Sequence, residues 1–312
     1  MKTNTKNSRE TADTIAPASS AFIPSPWKTL QREIMHDKLA FASLIFFVVV
    51  VTVSFIWAAT FDSAEMALVN VRFLNLSPGY TSGRGFFLLG TDPHGRAVLG
   101  QLVVGARNSF VIAFTVALTS SVIGILIGLF AGFVGGHFDN IVMRIIDFFT
   151  VIPTIMVIIV LVVIVQNHTP FTFGLIMVLF SWIGMARQVR MKTMQQGTST
   201  YIQASKTLGT RNIVIIFREL FPNIISFVVV NLILLIAGTM GIETGLTFLG
   251  FGLPSTTPSL GAMIAHAQTP TVLQNRLWQW LPAALLIFMM MLSINYVGQA
   301  LNRAVDAKRR KV

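Results

Sequence analysis

The chain has 312 residues, of which 54% are hydrophobic and 11% charged, with a mean hydropathy of +0.72. Soluble domains carry about 25% charged residues, so this composition excludes an ordinary water-soluble fold and indicates a membrane protein. The net charge is +11, yet the basic residues flank apolar runs and form no patch interleaved with aromatics, which argues against nucleic acid; the absence of cysteine excludes disulfides and thiolate metal sites.

Residues 1–26 are rich in Ser, Thr, Ala and Asn, close on Pro24 and Pro26, and hold no apolar core. They read as a disordered cytoplasmic tail and not as a secretory signal. Residues 27–38 are amphipathic and basic and place Trp27 and Leu30 on the membrane surface. The run 39–60 carries no charge and, at about 1.5 Å per residue, crosses a hydrocarbon core of about 30 Å as the first of six expected transmembrane helices.

Residues 61–105 change in character, with Asp62, Glu65, Arg72, Arg84, Asp92 and Arg96 among turn signals at Ser77-Pro78-Gly79 and Asp92-Pro93. They predict a folded extracytoplasmic loop between the first two spans. Asp92, His94 and Arg96 stand close enough in sequence to be considered as a metal or catalytic cluster. Two side-chain ligands do not close a metal site, and a turn freed by Gly90 and Gly95 is the better reading.

The second span is expected at 110–133. Gly124, Gly128 and Gly132 recur every four residues and so line one helix face for close approach of a neighbour. A tight turn at 135–140 leads to the third span, 141–166, where Asp147 stands three residues from Arg144 and can pair with it on the same face. After a turn at 167–170, the fourth span runs over 171–186. Its helical pattern continues past Arg187, Arg190 and Lys192, which snorkel at the cytoplasmic end.

The stretch 201–223 reads as two short polar helices broken at Gly209. Lys206, Arg211 and Arg218 keep it out of lipid, Ile213, Ile215, Ile216 and Phe217 give it one apolar side, and Pro222 closes it. The fifth span, 224–248, contains Asn231 and Glu243; intramembrane polar groups are candidates for a pathway or gate, although Glu243 can also sit capped or solvated near the outer interface. Residues 249–279 form a second external loop in which Pro254, Pro258 and Pro270 discourage helix and His266 stands alone. The sixth span is 280–301, and 304–312 is a basic cytoplasmic tail. With both termini in the cytoplasm, 18 of the 23 Lys and Arg residues fall inside and five outside, as the positive-inside rule requires.

These residues carry a resemblance. Gln203-Ala204-Ser205, Gly209 and Leu220-Phe221-Pro222 resemble the EAA coupling motif of ABC importer permeases, with Gln203 where the family has Glu and Ser205 in place of the second Ala. The segment 89–110 resembles the "GTD..GRD" stretch of the dipeptide/oligopeptide/nickel subfamily, with Ala97 in place of Asp. Residues 258–267 resemble its "PSWG.M" stretch, with Leu260 in place of Trp.

The resemblance, running from Trp27 to the C-terminus, implies an all-α, six-helix type I ABC importer permease with its core over 106–303 and a coupling loop at 199–223. It implies the C-type subunit of a peptide importer in the bacterial or archaeal cell membrane. Its implied partners are a homologous B-type permease, two cytoplasmic ABC ATPases, an extracytoplasmic substrate-binding protein and the bilayer. ATPase coupling is thereby assigned to Gln203, Ala204, Ser205, Lys206, Gly209, Leu220 and Pro222.

The residues themselves offer no nucleotide chemistry. There is no GxxxxGK[ST] cradle, since the Lys-Thr pairs at Lys2, Lys28, Lys192 and Lys206 follow Met1, Trp27, Met191 and Ser205. No HExxH or GxSxG is present. The chain is therefore expected to bind no cofactor and to catalyse nothing, with ATP and Mg used by the partner ATPases. A secondary transporter, import of nickel or another small solute by the same architecture, and a membrane scaffold are the alternatives at this point.

Overall fold

The structure is a computed structural model that describes residues 37–60, 69–82, 85–165, 168–254 and 256–309. The tail at 1–26 and nearly all of the interfacial stretch at 27–38 lie outside the described residues. Helix α1, Lys38–Ala58, opens on Asp37, whose side chain accepts from the Leu39 and Ala40 N–H groups. That cap satisfies donors the first turn otherwise leaves open. A single-turn 3₁₀ helix, Val71–Phe73, and a two-stranded hairpin, β1 Tyr80–Ser82 with β2 Gly85–Phe87, follow in the loop.

Helix α2, Val98–Val134, has 37 residues, roughly 55 Å at about 1.5 Å per residue. It starts well before the expected 110, so the last turns assigned to the outer loop are helix. Its glycine face is confirmed. A Cβ on Gly124 would lie 2.7 Å from Met185 Cβ, one on Gly128 2.6 Å from the Ala186 carbonyl oxygen, and one on Gly132 2.6 Å from that of Arg190. The matched residues advance together along both chains, so α2 lies parallel to α5, Pro170–Gly197, with backbones in direct contact. Parallel neighbours require an intervening return crossing, which the next two helices supply.

That return differs from the single third span expected at 141–166. It is α3, Gly136–Val151, and α4, Thr154–Ile164, bent 78° apart. Pro153 explains the break: it forces Ile152 into extended backbone (φ −78°, ψ 129°) and cannot donate to the preceding turn. Among the described residues, five helices are long and apolar enough to cross a membrane, or six with the bent pair as one crossing. The helix also begins at Gly136, so Asp139 and Asn140 are helical and not part of a turn. Nor does Asp147 pair with Arg144. It meets Arg187 on α5, while Asp139 takes both the Nε and an Nη of Arg190.

After α5, which stays helical through Arg187, Arg190 and Lys192 as expected, come α6, Thr200–Thr207, and the short α7, Asn212–Val214. A π-helical turn, Ile215–Leu220, then runs directly into α8, Phe221–Phe248. Pro222 thus does not close this segment. It sits in the first turn of α8, where the wide turn before it absorbs the proline ring and the missing N–H. Of the expected apolar side, Ile215 and Ile216 are buried, whereas Ile213 and Phe217 are exposed.

The loop at 249–279 contains more helix than its prolines suggest. Pro270 opens α10, Pro270–Asn275, and Ser259 caps α9, Leu260–Ala265. Proline in the first turn of a helix loses no bond that the helix would have made. The final helix, α11, Leu281–Arg309, starts one residue after Trp280 and carries the basic tail at 304–309 as helix. Its side of the core joins α2, α8 and α9 through Phe110, Ala113, Met240, Leu260, Met263, Ala283 and Met290, with Phe46 and Phe47 of α1 packed against them.

Candidate functional site

The foot of the bundle is built where α5 ends. Ser199 leads into α6, which turns back at Gly209 with φ +79°. A left-handed backbone there favours glycine, and nothing lies within 4 Å of where its Cβ would be, so conformation alone demands the residue. The Gly209 N–H donates to Lys206 O at 3.0 Å and the Thr210 N–H to Ser205 O at 3.1 Å, which satisfies the carbonyls at the end of α6.

Two polar braces stiffen this foot. Gln203 Nε2 donates to the Gly197 carbonyl at 2.7 Å, tying α6 to the last turn of α5. Ser205 Oγ donates to Glu219 Oε2 at 2.9 Å, tying α6 to the π turn across the Gly209 bend. The two departures from the EAA pattern, Gln203 and Ser205, are thus the residues that make these bonds. A carboxylate at 203 could not donate to a carbonyl, and an alanine at 205 could not reach Glu219. Below the braces, Ile202, Ile215, Ile216, Leu220 and Ile224 are buried against Leu129, Met185 and Val189. Lys206 Nζ lies 4.5 Å from the centre of the Phe133 ring.

Ala204, Lys206, Leu208, Gly209, Arg211 and Pro222 are exposed; Leu208 is 85% exposed. Leu220 belongs to the root and not to the surface. Of the expected sites, Gln203, Ala204, Lys206, Gly209 and Pro222 therefore face outward, Ser205 is half-buried against Glu219, and Leu220 lies in the root. Glu219 and Gly197 were not singled out in the sequence. The signal available for Glu219 was its position opposite Ser205 across the glycine.

Of the two intramembrane candidates, Asn231 turns its amide to its own helix, donating to Phe227 O at 2.8 Å. Glu243 is fully buried rather than solvated, and accepts from Ser109 Oγ and Thr247 Oγ1, both at 3.1 Å.

At the opposite end, His266 is not alone. It lies against Asp92 and His94, with ligand atoms of all three within 4.8 Å of one another. The Asp92 carboxylate is committed elsewhere. Oδ1 accepts from the backbone N–H groups of His94 and Arg96, both at 2.8 Å, and Oδ2 from Arg96 Nε at 2.9 Å and Gln101 Nε2 at 2.7 Å. Those four donors fill its lone pairs, and the guanidinium opposes a second cation, so the cluster is a turn brace as the Gly90 and Gly95 reading expects. Both glycines have positive φ, +72° and +77°. Burial raises the Asp92 pKa, but the Arg96 N–H, the Arg96 charge and the Gln101 amide together hold it below its ordinary value. Burial pushes the His266 imidazole down, and its Nδ1 has no hydrogen-bond partner among the described residues.

Residues 124–311 match the family described as binding-protein-dependent transport system inner membrane component, and the chain belongs to that family. The oligopeptide transport system permease protein OppC of Lactococcus lactis subsp. cremoris is 41% identical over 90% of this chain and 94% of its own length. The dipeptide transport system permease protein DppC of Bacillus subtilis is 32% identical over 99% and 92%, and OppC of Escherichia coli 31% over 99% and 100%. Within the family the chain is an ABC permease of the dipeptide/oligopeptide group, C-type. It is a multi-pass membrane protein of a permease family that is not itself catalytic.

Proposed function

We propose that this chain forms half of the translocation pathway of an ATP-driven importer of di- or oligopeptides. Its other half is a homologous B-type permease, with two ABC ATPases at the foot and an extracytoplasmic binding protein at the opposite end. ATP and Mg belong to the ATPases; this chain contributes no catalytic group. Both termini and the foot lie in the cytoplasm, in keeping with 18 of 23 basic residues on that side.

The observation that carries this reading is the foot. Its outward face at 203–209 sits on a root of buried Ile and Leu and is held by bonds from Gln203 and Ser205 to two different helices. A lever must be stiff, because a flexible loop would absorb the movement of the ATPase dimer before it reached the spans. The names of the relatives support peptides as solute.

The test is co-purification followed by reconstitution. Two ATPase subunits per complex, and uptake of a labelled oligopeptide into vesicles only when ATP is on the foot side, are the expected results. Uptake that needs no nucleotide and follows a sodium or proton gradient would overturn the reading.

A further inference from the structure

The segment 258–263 is driven into the crevice between α2 and α8. Leu260 and Met263 are 0% and 1% exposed. Gly105 of α2 faces Ser259, where a Cβ would come within 3.0 Å of the backbone, and a Cβ on Gly261 would meet Thr247 Cβ at 2.8 Å. Asn108 Nδ2 donates to Pro258 O at 2.7 Å, and Ser259 Oγ accepts from the Ala262 N–H at 3.1 Å. The Leu260 N–H donates to Ser109 Oγ at 3.4 Å.

Glu243 decides whether that hydroxyl can accept. A serine on a helix readily turns its proton back to a carbonyl of its own preceding turn. Here the Ser109 proton goes to Glu243 Oε2, which leaves an oxygen lone pair facing Leu260. The other carboxyl oxygen takes Thr247 Oγ1, one turn along α8 and beside Gly261. No ion pair to Glu243 occurs among the described residues, so its partners are hydroxyls.

We propose that Glu243 is a positioning residue that keys segment 258–263 into the α2–α8 crevice through Ser109. The role is one of hydrogen bonding and not of charge. It holds whichever solute crosses the membrane and does not depend on the ATPase reading.

Because the chain has no cysteine, a single Met263→Cys reports the seating of this segment by its rate of maleimide labelling in native membranes opened to the reagent. Labelling should be slow with Glu243 present, and about tenfold faster in Glu243→Leu, as a local opening exposes the site. Ser109→Ala should give a similar rise, and the double variant should add little to either. Glu243→Gln keeps a carbonyl acceptor for the Ser109 proton and should return the rate to near that of the parent. If Glu243→Leu is inserted and labels at the parent rate, the proposal is wrong. It also fails if Glu243→Gln labels as fast as Glu243→Leu, since charge would then be the working property. Should Glu243→Leu not insert, the Ser109→Ala rate decides alone.

Discussion

The two ends of the bundle hold themselves in shape by opposite means. At the foot, Gly209 stands in open space and is needed for its φ of +79°. At the other end, Gly105 and Gly261 adopt no left-handed backbone and are needed because α2, α8 and the segment 258–263 touch. The foot projects one exposed face on a small apolar root and two braces. The opposite end is locked inward, with Gln279 Nε2 donating to Thr91 O at 3.0 Å and Asn75 Oδ1 at 2.9 Å, and with Asp92 holding its own turn. The foot leaves surface open to a partner, and the packed end leaves little at 258–263.

The largest expected effect separates the two kinds of glycine. Gly209→Pro imposes a φ near −65° where the chain has +79° and removes the N–H that closes α6. Uptake of labelled peptide in cells lacking the parent protein should fall to background while the variant still inserts. Gly209→Asn tolerates the left-handed region in unfilled space and should keep a substantial part of the activity. Normal uptake by the proline variant would remove the foot from the coupling mechanism.

Next in size is Gly261→Val. Overpacking of a close contact costs about 1–3 kcal/mol, and the nearest atom to an added Cβ, Thr247 Cβ at 2.8 Å, belongs to a stiff β-branched side chain. Thermal unfolding in detergent should shift down by several degrees. Should Gly261→Val match Gly209→Asn in stability, the contrast between needing room and needing a dihedral disappears.

The smallest effect expected is that of acid. The His266 pKa lies below its ordinary value, so the folded chain binds fewer protons there than the unfolded one once the pH drops under about 6.5. Stability at this end should decline over mildly acidic pH. The Asp92 pKa is also depressed, so its contribution is intact above the ordinary carboxyl range and is lost only as the pH falls through the lower folded value. Acid removes thiolate and slows every maleimide reaction, so the readout is the Met263→Cys rate relative to that of Leu208→Cys, an exposed thiol on the foot, which holds no histidine. That ratio should rise modestly between pH 8 and 5, and His266→Gln should flatten the rise.

Much of this was legible from the residues in order. The charge-free run of α1, the glycine stripe of α2, the continuation of α5 past its cations and the bend at Gly209 each follow from local chemistry: hydropathy over a membrane thickness, a period of four, a helical charge pattern, a residue without Cβ. The elbow at Pro153 was also local, and was overlooked because apolar residues on both sides disguised it as one span. Pro222 and Pro270 misled for a related reason. Proline is tolerated in a helix's first turn, and only the neighbouring turn decides whether a helix begins or ends there.

What the order of residues could not supply was which distant groups share one place. Asp147 had a cation three residues away and found Arg187, 40 residues on, because α3 lies against α5. His266 looked solitary until the loops brought it to Asp92 and His94. Glu243 invited a choice between gate and solvated cap, and the answer lay 134 residues away in Ser109. Sequence alone determined the membrane setting, most of the helices and the hinged foot, because burial in lipid and backbone conformation act residue by residue. Tertiary structure decided the braces, the ion pairs and the key at Glu243. A buried polar group must be satisfied by whatever neighbour the packing delivers, and local sequence does not specify that neighbour.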